Sequence, residues 1–494
     1  MADRKFKILS ILLFAFVLFS SFILVGCNGE EKDLVLRIYN WQDYIDDGTD
    51  DNGEKVGSSV LDEWAEWYKD TYGVEVSYQY DTFETNEVML NNLKTGKNTY
   101  DLVCPSEYAI QKMMYLDMLQ EFDLNLKDKN GDLVLSNHKY LSTYLVDLFA
   151  EKGWDTYAIP YMWGTVGFIY NPEFVSEEEA STWNLLWNPD IKSTAKDSIR
   201  DTYMVGVMYV YQDELNDLKL KLDNGIISQK EYTSKVGEIM NRCDDDTLDK
   251  VEDALILMKN AVYGFEVDSG KNDIVTGKIA VNLAWSGDAV YSMDVAEEEE
   301  EVYLNYSVPK EGSNVWFDGW VMPKGANTLL AQSFVNFLCS PEIAVRNMNK
   351  IGYTSAIVGD EVMDMINDWY GVEDGEEGYE VDLTYLFTDS LSDEYYTIND
   401  QGEKRAIVTV GERGRQFDAQ YPDEETIMRC GIMEDFGDRI DNVIAMWENV
   451  KIGDISIWFT IFLIVFVVII FAFMYGKKII DKHKKKMRRL KYSK

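Results

Sequence analysis

Histidine and proline are scarce in this chain, with two and eight residues among 494. His138 and His483 are too few and too far apart for a histidine metal cluster or a histidine-based triad. Eight prolines leave no proline-rich linker. Five cysteines occur without a C-x-x-C pair, which argues against structural zinc. Cys104, Cys243, Cys339 and Cys430 are scattered and read as mostly buried thiols, and their spacing implies no particular disulfide. Positive charge is also short. Forty-seven Lys and Arg stand against 87 Asp and Glu, a formal net charge of -40. Nucleic-acid binding needs basic surface to meet phosphate, so the balance argues against that class. A cation as ligand fits the sign of the field. No phosphate loop, nucleophile elbow or metal-spaced histidine motif appears, so no catalytic residue, metal or cofactor is expected.

What is present is apolar at the ends and acidic between them. Residues 1–27 carry Arg4, Lys5 and Lys7, then an apolar run, then Gly26 and Cys27. That is the pattern of a secretory signal. Leu24-Val25-Gly26-Cys27 resembles a bacterial lipobox, with Cys27 the lipidation site; a retained signal anchor is the alternative. Residues 455–475 are free of formal charge and long enough to span a bilayer. The tail, 476–494, has eight Lys, two Arg and one Asp. Basic flanks mark the cytoplasmic side, so both ends are expected to hold the acidic middle outside the cell.

Between the ends, "LVLRIYNW" (34–41) suits a buried strand. "SSVLDEWAEWYKDTYG" spaces Leu61, Trp64 and Tyr68 about one turn apart and stops on Gly73, an amphipathic helix. "VEVSYQY" alternates as a strand, "ETNEVMLNNLKTG" is helical, and "YDLVCP" is another strand. Strands alternating with helices predict a parallel sheet, with ligands at the strand C-termini. Residues 210–263 read as mainly helical and solvent-facing. "KIAVNLAWSGDAVYSM" gives a strand then a helix, "AEEEEEVY" reads as a solvated acidic run, and Ser340-Pro341-Glu342 opens a further helix. Residues 355–425 are acidic, tyrosine-rich and unassigned.

Aromatics recur at strand ends: Trp41, Tyr44, Tyr108, Trp285 and Trp316. Single carboxylates accompany them: Asp43, Asp201 and Asp318. In "SNVWFDGWVMP" (313–323), aromatics crowd around Asp318. A carboxylate there is costly to bury unless a positive group meets it. Aromatic walls with a few acids suit a flexible cation with an apolar stem, each ring contact contributing about 0.5–2 kcal/mol. Core packing of the aromatics and surface placement of the acids remain open at this point.

The motifs resemble those of the spermidine/putrescine-binding proteins of polyamine ABC transporters, a bacterial extracellular solute-binding family. "LRIYNWQDYI", "YDLVCPSEYAIQKMMYLDMLQEFD", "YAIPYMWGTVGFIYN", "NLAWSGDA", "VWFDGWVMP", "FVNFLCSPEIAVRNMNKIGY" and "YPDEETI" follow in the family's order. The resemblance covers most of residues 34–450, with insertions around 212–245 and 358–415. It implies an α/β, two-lobed periplasmic-binding-protein-like fold of type II. Lobe 1 is expected from 31–155 and 318–355, lobe 2 from 156–317 and 416–450, with 356–415 an insertion. The implied ligand-binding residues are Trp41, Asp43, Tyr44, Ser106, Tyr108, Asp201, Trp285, Trp316 and Asp318. The implied partners are a polyamine, ABC permease subunits and the membrane, with no nucleic acid.

Two departures bear on ligand choice. Ser198 stands where the family has an acid, with Asp197 adjacent, and Met433 stands where it has a glutamine, beside Glu434. Spermidine and putrescine are therefore left open. So are three alternatives: an extracellular hydrolase using paired carboxylates, the same fold binding a quaternary amine or thiamine-like cation, and a membrane-tethered sensor.

Overall fold

A computed structural model describes residues 34–452, apart from 50–52, 97–98, 373–376 and 388–389. The expected signal, Cys27, the span 455–475 and the basic tail lie outside the described residues. Among the described residues, no single helix is long and apolar enough to cross a membrane.

The first strand, Leu34–Trp41, pairs in parallel with Val76–Phe83 on one side and Leu102–Val103 on the other. Helices Val60–Tyr72 and Asn86–Thr95 make the crossovers. The first of them ends where the sequence put its stop. The Ser59 side chain accepts from the Asp62 N–H, and Gly73 closes the first helix at φ 70°, a conformation glycine adopts without steric cost. This is the strand–helix alternation expected of a parallel sheet.

The sheet then continues through Val315–Pro323, Ala158–Tyr170, Val281–Trp285, Ser193–Lys196 and Gly264–Glu266. Ala158–Tyr170 is the axis of this arrangement. All of its 13 residues are buried, as a strand covered on both faces requires. Its leading half pairs antiparallel with Val315–Val321 and with Thr354–Ser355. Its trailing half pairs with Val281–Trp285 and Asn305–Ser307. One strand thus belongs to both halves of the sheet. Its pairing with Val315–Pro323 slips in register between Asp318 and Gly319. Tyr161 is the extra residue at this bulge, a device that often re-aims a neighbouring side chain.

Residues 210–263 are helical over Gln212–Asp223, Gln229–Met240 and Asp245–Ala261. They are less solvent-facing than their charge suggests, since Leu215, Tyr232, Val236, Val251 and Leu255 are buried. The helix Ser286–Glu300 runs on into the acidic run, where the sequence suggested only a solvated stretch. Arg415 answers part of that charge by pairing with Glu297. The described residues between 360 and 410 include the helices Asp360–Tyr370 and Thr384–Phe387 and two short two-stranded sheets. Tyr385 donates to the Pro422 carbonyl at 2.6 Å and Ser142 to that of Leu386 at 2.9 Å, fastening this stretch to the rest. Cys104, Cys339 and Cys430 are buried, Cys243 is half-buried, and all four are free thiols.

Candidate ligand-binding site

Asp318 is 6% exposed and sits on a strand among aromatic rings. The Tyr44 hydroxyl donates to its Oδ2 at 2.7 Å. Oδ1 is buried without a hydrogen-bond partner. Burial raises the carboxyl to about 6, although the Ser106 and Tyr44 hydroxyls pull it back down. Ser106 also forms an isolated bridge with Asp318. Asn86 Nδ2 donates to the Ser106 and Tyr108 hydroxyls, both at 3.0 Å, which orients the two groups together.

The walls are aromatic. The Tyr353 ring meets Tyr44 and Trp316 edge-on, each at 5.4 Å between centroids. Tyr161 packs against Tyr44 at 5.6 Å and donates to its carbonyl at 2.9 Å. Two glycines admit these rings. A Cβ on Gly164 would lie 2.7 Å from the Trp316 indole, and one on Gly287 would lie 2.3 Å from the Tyr353 ring. Phe317 faces Phe149 instead. Its N–H donates to Glu107 Oε2 at 3.1 Å. Burial pushes the Glu107 carboxyl to about 8, so at neutral pH it is largely protonated and Asp318 carries the charge here.

A second group gathers around Asp201 and Trp285. Burial raises Asp201, and hydrogen bonds from Ser198 and the Trp285 side chain offset part of that. Tyr353 links the two groups by donating to Asp288 Oδ1 at 2.9 Å. Arg200 links them again, its guanidinium 4.2 Å over the Tyr108 ring and 3.8 Å over that of Phe436.

The family profile of bacterial extracellular solute-binding proteins matches residues 63–361. The chain belongs to that family. Its relatives include the putrescine-binding periplasmic protein SpuD of Pseudomonas aeruginosa, 31% identical over 320 residues, covering 63% of this chain and 74% of the relative. The putrescine-binding periplasmic protein PotF of Escherichia coli is 28% identical over 340 residues, covering 67% and 80%. Among solved structures, the substrate-binding protein PotD of a spermidine/putrescine ABC transporter from Streptococcus pneumoniae superposes with a TM-score of 0.54. It is 24% identical, covering 85% of this chain and 99% of that one. The likeness to PotD establishes an α/β periplasmic-binding-protein-like fold. The family binds solutes rather than transforming them, and its members act outside the cytoplasm.

Within this solute-binding protein, the structure brings Tyr44, Ser106, Tyr108, Trp316 and Asp318 into one group, and Asp201 and Trp285 into the adjoining one. Trp41 and Asp43 are not drawn in by any described contact. Trp41 packs on Phe83 at 4.5 Å. Asp43 is exposed at φ 50° and accepts from Gln42 at 3.4 Å. Sequence reasoning missed Asn86, Glu107, Lys196, Arg200, Asp288 and Tyr353. Asp288 and Tyr353 stood inside motifs already singled out, "NLAWSGDA" and "NKIGY". Nothing in the sequence marks Lys196, a lysine in a buried strand, as part of the site.

Proposed function

We propose that this chain is an extracytoplasmic polyamine receptor that captures a short aliphatic amine and presents it to an ABC permease. The observation that carries the reading is Asp318, a buried carboxylate among aromatic walls that is met by the Tyr44 and Ser106 hydroxyls and, among the described residues, is paired with no cation. A protonated amine supplies a charge-assisted hydrogen bond to that carboxylate, about 1.5–3 kcal/mol. Its alkyl chain lies against Trp316 and Tyr353. Relatives named for putrescine and spermidine support the same ligand class. The two halves of the sheet are the two lobes, and ligand draws them together. A lipid on Cys27, the span 455–475, or both hold the receptor beside its permease.

The test is a thermal-shift series on the full-length protein with putrescine, spermidine, choline and thiamine. A ligand that binds only the folded form raises the melting temperature. Putrescine or spermidine should do so; a shift with choline alone would replace the polyamine reading with a quaternary-amine one. Mass spectrometry of the mature N-terminus tests the anchor, since an unmodified residue before position 27 is incompatible with acylated Cys27.

A further inference from the structure

A cavity of about 540 Å³ lies on the later turns of the helix Ser286–Glu300, away from the first turn that backs Tyr353. Its size is within the roughly 300–1,000 Å³ usual for small-molecule sites. The end of the helix Asp360–Tyr370 and the helix Gln416–Gln420 complete its walls. Asp294, Glu297 and Glu412 there face a single base, Arg415. Three carboxylates against one guanidinium leave an excess of two negative charges. Gln416 Nε2 donates to Asp294 Oδ1 at 3.0 Å and to Glu297 Oε1 at 2.8 Å, which holds those two carboxylates side by side. Arg415 is 9% exposed, pairs with Glu297 and lies 2.9 Å from Glu412. Its Nε is nevertheless buried without a hydrogen-bond partner, and a buried donor without an acceptor is destabilising. Trp369 and Phe417 supply aromatic surface, and Trp369 is 38% exposed.

We propose that this cavity binds a cationic α-amino acid. The ligand carboxylate meets the Arg415 Nε–H, the donor that lacks an acceptor. Its two ammoniums answer the excess acids around Asp294 and Glu412, and its alkyl stem lies on the Trp369 ring. A simple diamine would satisfy the acids and leave the Arg415 donor unmet. A neutral amino acid would answer only one of the two excess charges. The site takes a wall from the stretch 356–415, and it does not depend on what fills the cleft at Asp318.

The experiment is calorimetric titration of the full-length protein, first saturated with putrescine to fill the Asp318 cleft. L-lysine should then bind as one further equivalent. Cadaverine, the same chain without the carboxylate, and norleucine, without the side-chain ammonium, should each bind at least about tenfold more weakly. Trp369→Ala should weaken lysine about fivefold, and Arg415→Gln should abolish the advantage of lysine over cadaverine. Absence of lysine binding overturns the proposal, as does cadaverine or norleucine binding as tightly as lysine. Lysine that binds only when putrescine is left out belongs to the cleft and overturns it too. If Arg415→Gln does not fold, Trp369→Ala decides: a cooperative melt with unaltered lysine affinity places lysine elsewhere. Failure of putrescine to bind overturns the amine reading of the cleft, and the lysine series still decides this site.

Discussion

Asp318 is the residue on which ligand capture is expected to turn. Asp318→Asn keeps the shape and removes the charge, so putrescine affinity should drop about 10- to 100-fold, the equivalent of about 1.5–3 kcal/mol. Calorimetry reads it directly, and an unchanged dissociation constant removes Asp318 from the site. The same carboxyl sets a pH dependence. It sits at about 6 in the fold against an ordinary 3.8. Affinity for an ammonium should therefore fall roughly tenfold per unit below about pH 6, and Asp318→Asn should lose that slope. Glu107 acts on stability. Its folded value of about 8 exceeds its ordinary 4.5, so between those values the folded state holds a proton that the unfolded state has lost. Stability from this group therefore falls as pH rises through that window. Glu107→Gln still accepts from Phe317 and should flatten the decline in melting temperature between about pH 5 and 8; an identical decline in both proteins would refute the assignment.

Among the elements, the strand Val315–Pro323 carries Trp316 and Asp318, and the helix Ser286–Glu300 backs the Tyr353 ring through Gly287. Gly287 lies in the first turn of that helix, where the Tyr353 ring leaves no room for a methyl group. Gly287→Ala should cost about 1–3 kcal/mol, as overpacking does, and should weaken amine binding by displacing Tyr353. Urea denaturation and titration of the same sample check both, and a variant unaffected in either would contradict this contact. These elements also show what the sequence disclosed. The helix Val60–Tyr72 was legible because its apolar period and its Gly73 stop agree; its Ser59 cap is added by the structure. Trp316 and Asp318 were legible because a carboxylate among indoles is physically anomalous. Lys196 was not, because its meaning depends on Glu266, Asp288 and Trp285, which reach it from two other strands and a helix.

At the scale of the whole molecule, the helix Glu107–Tyr115 touches the segment that leads into the C-terminal helix Ile440–Ile452. Lys112 Nζ lies 3.1 Å from Asp435 and Gln111 donates to the Met433 carbonyl at 3.0 Å. These contacts tie the helix to that segment. Lys112→Ala should speed ligand release by at least a few-fold, since even an exposed ion pair contributes about 0.2–1 kcal/mol and this one is mostly buried, its side chains 18% and 19% exposed. Stopped-flow dissociation measures it, and an unaltered rate would show that the pair does not latch the closed form. Small-angle scattering should show a smaller radius of gyration with putrescine than without.

The shared strand Ala158–Tyr170 has a consequence for biosynthesis. Its leading half needs Val315–Val321 and Thr354–Ser355 as neighbours, and Leu102–Val103 also waits for Val321. The first-made portion of the sheet is therefore incomplete until more than two-thirds of the polypeptide has left the ribosome. Until then it exposes raw strand edges, which invite pairing between nascent chains. A truncation ending before residue 315 should for that reason yield insoluble material rather than a smaller working receptor.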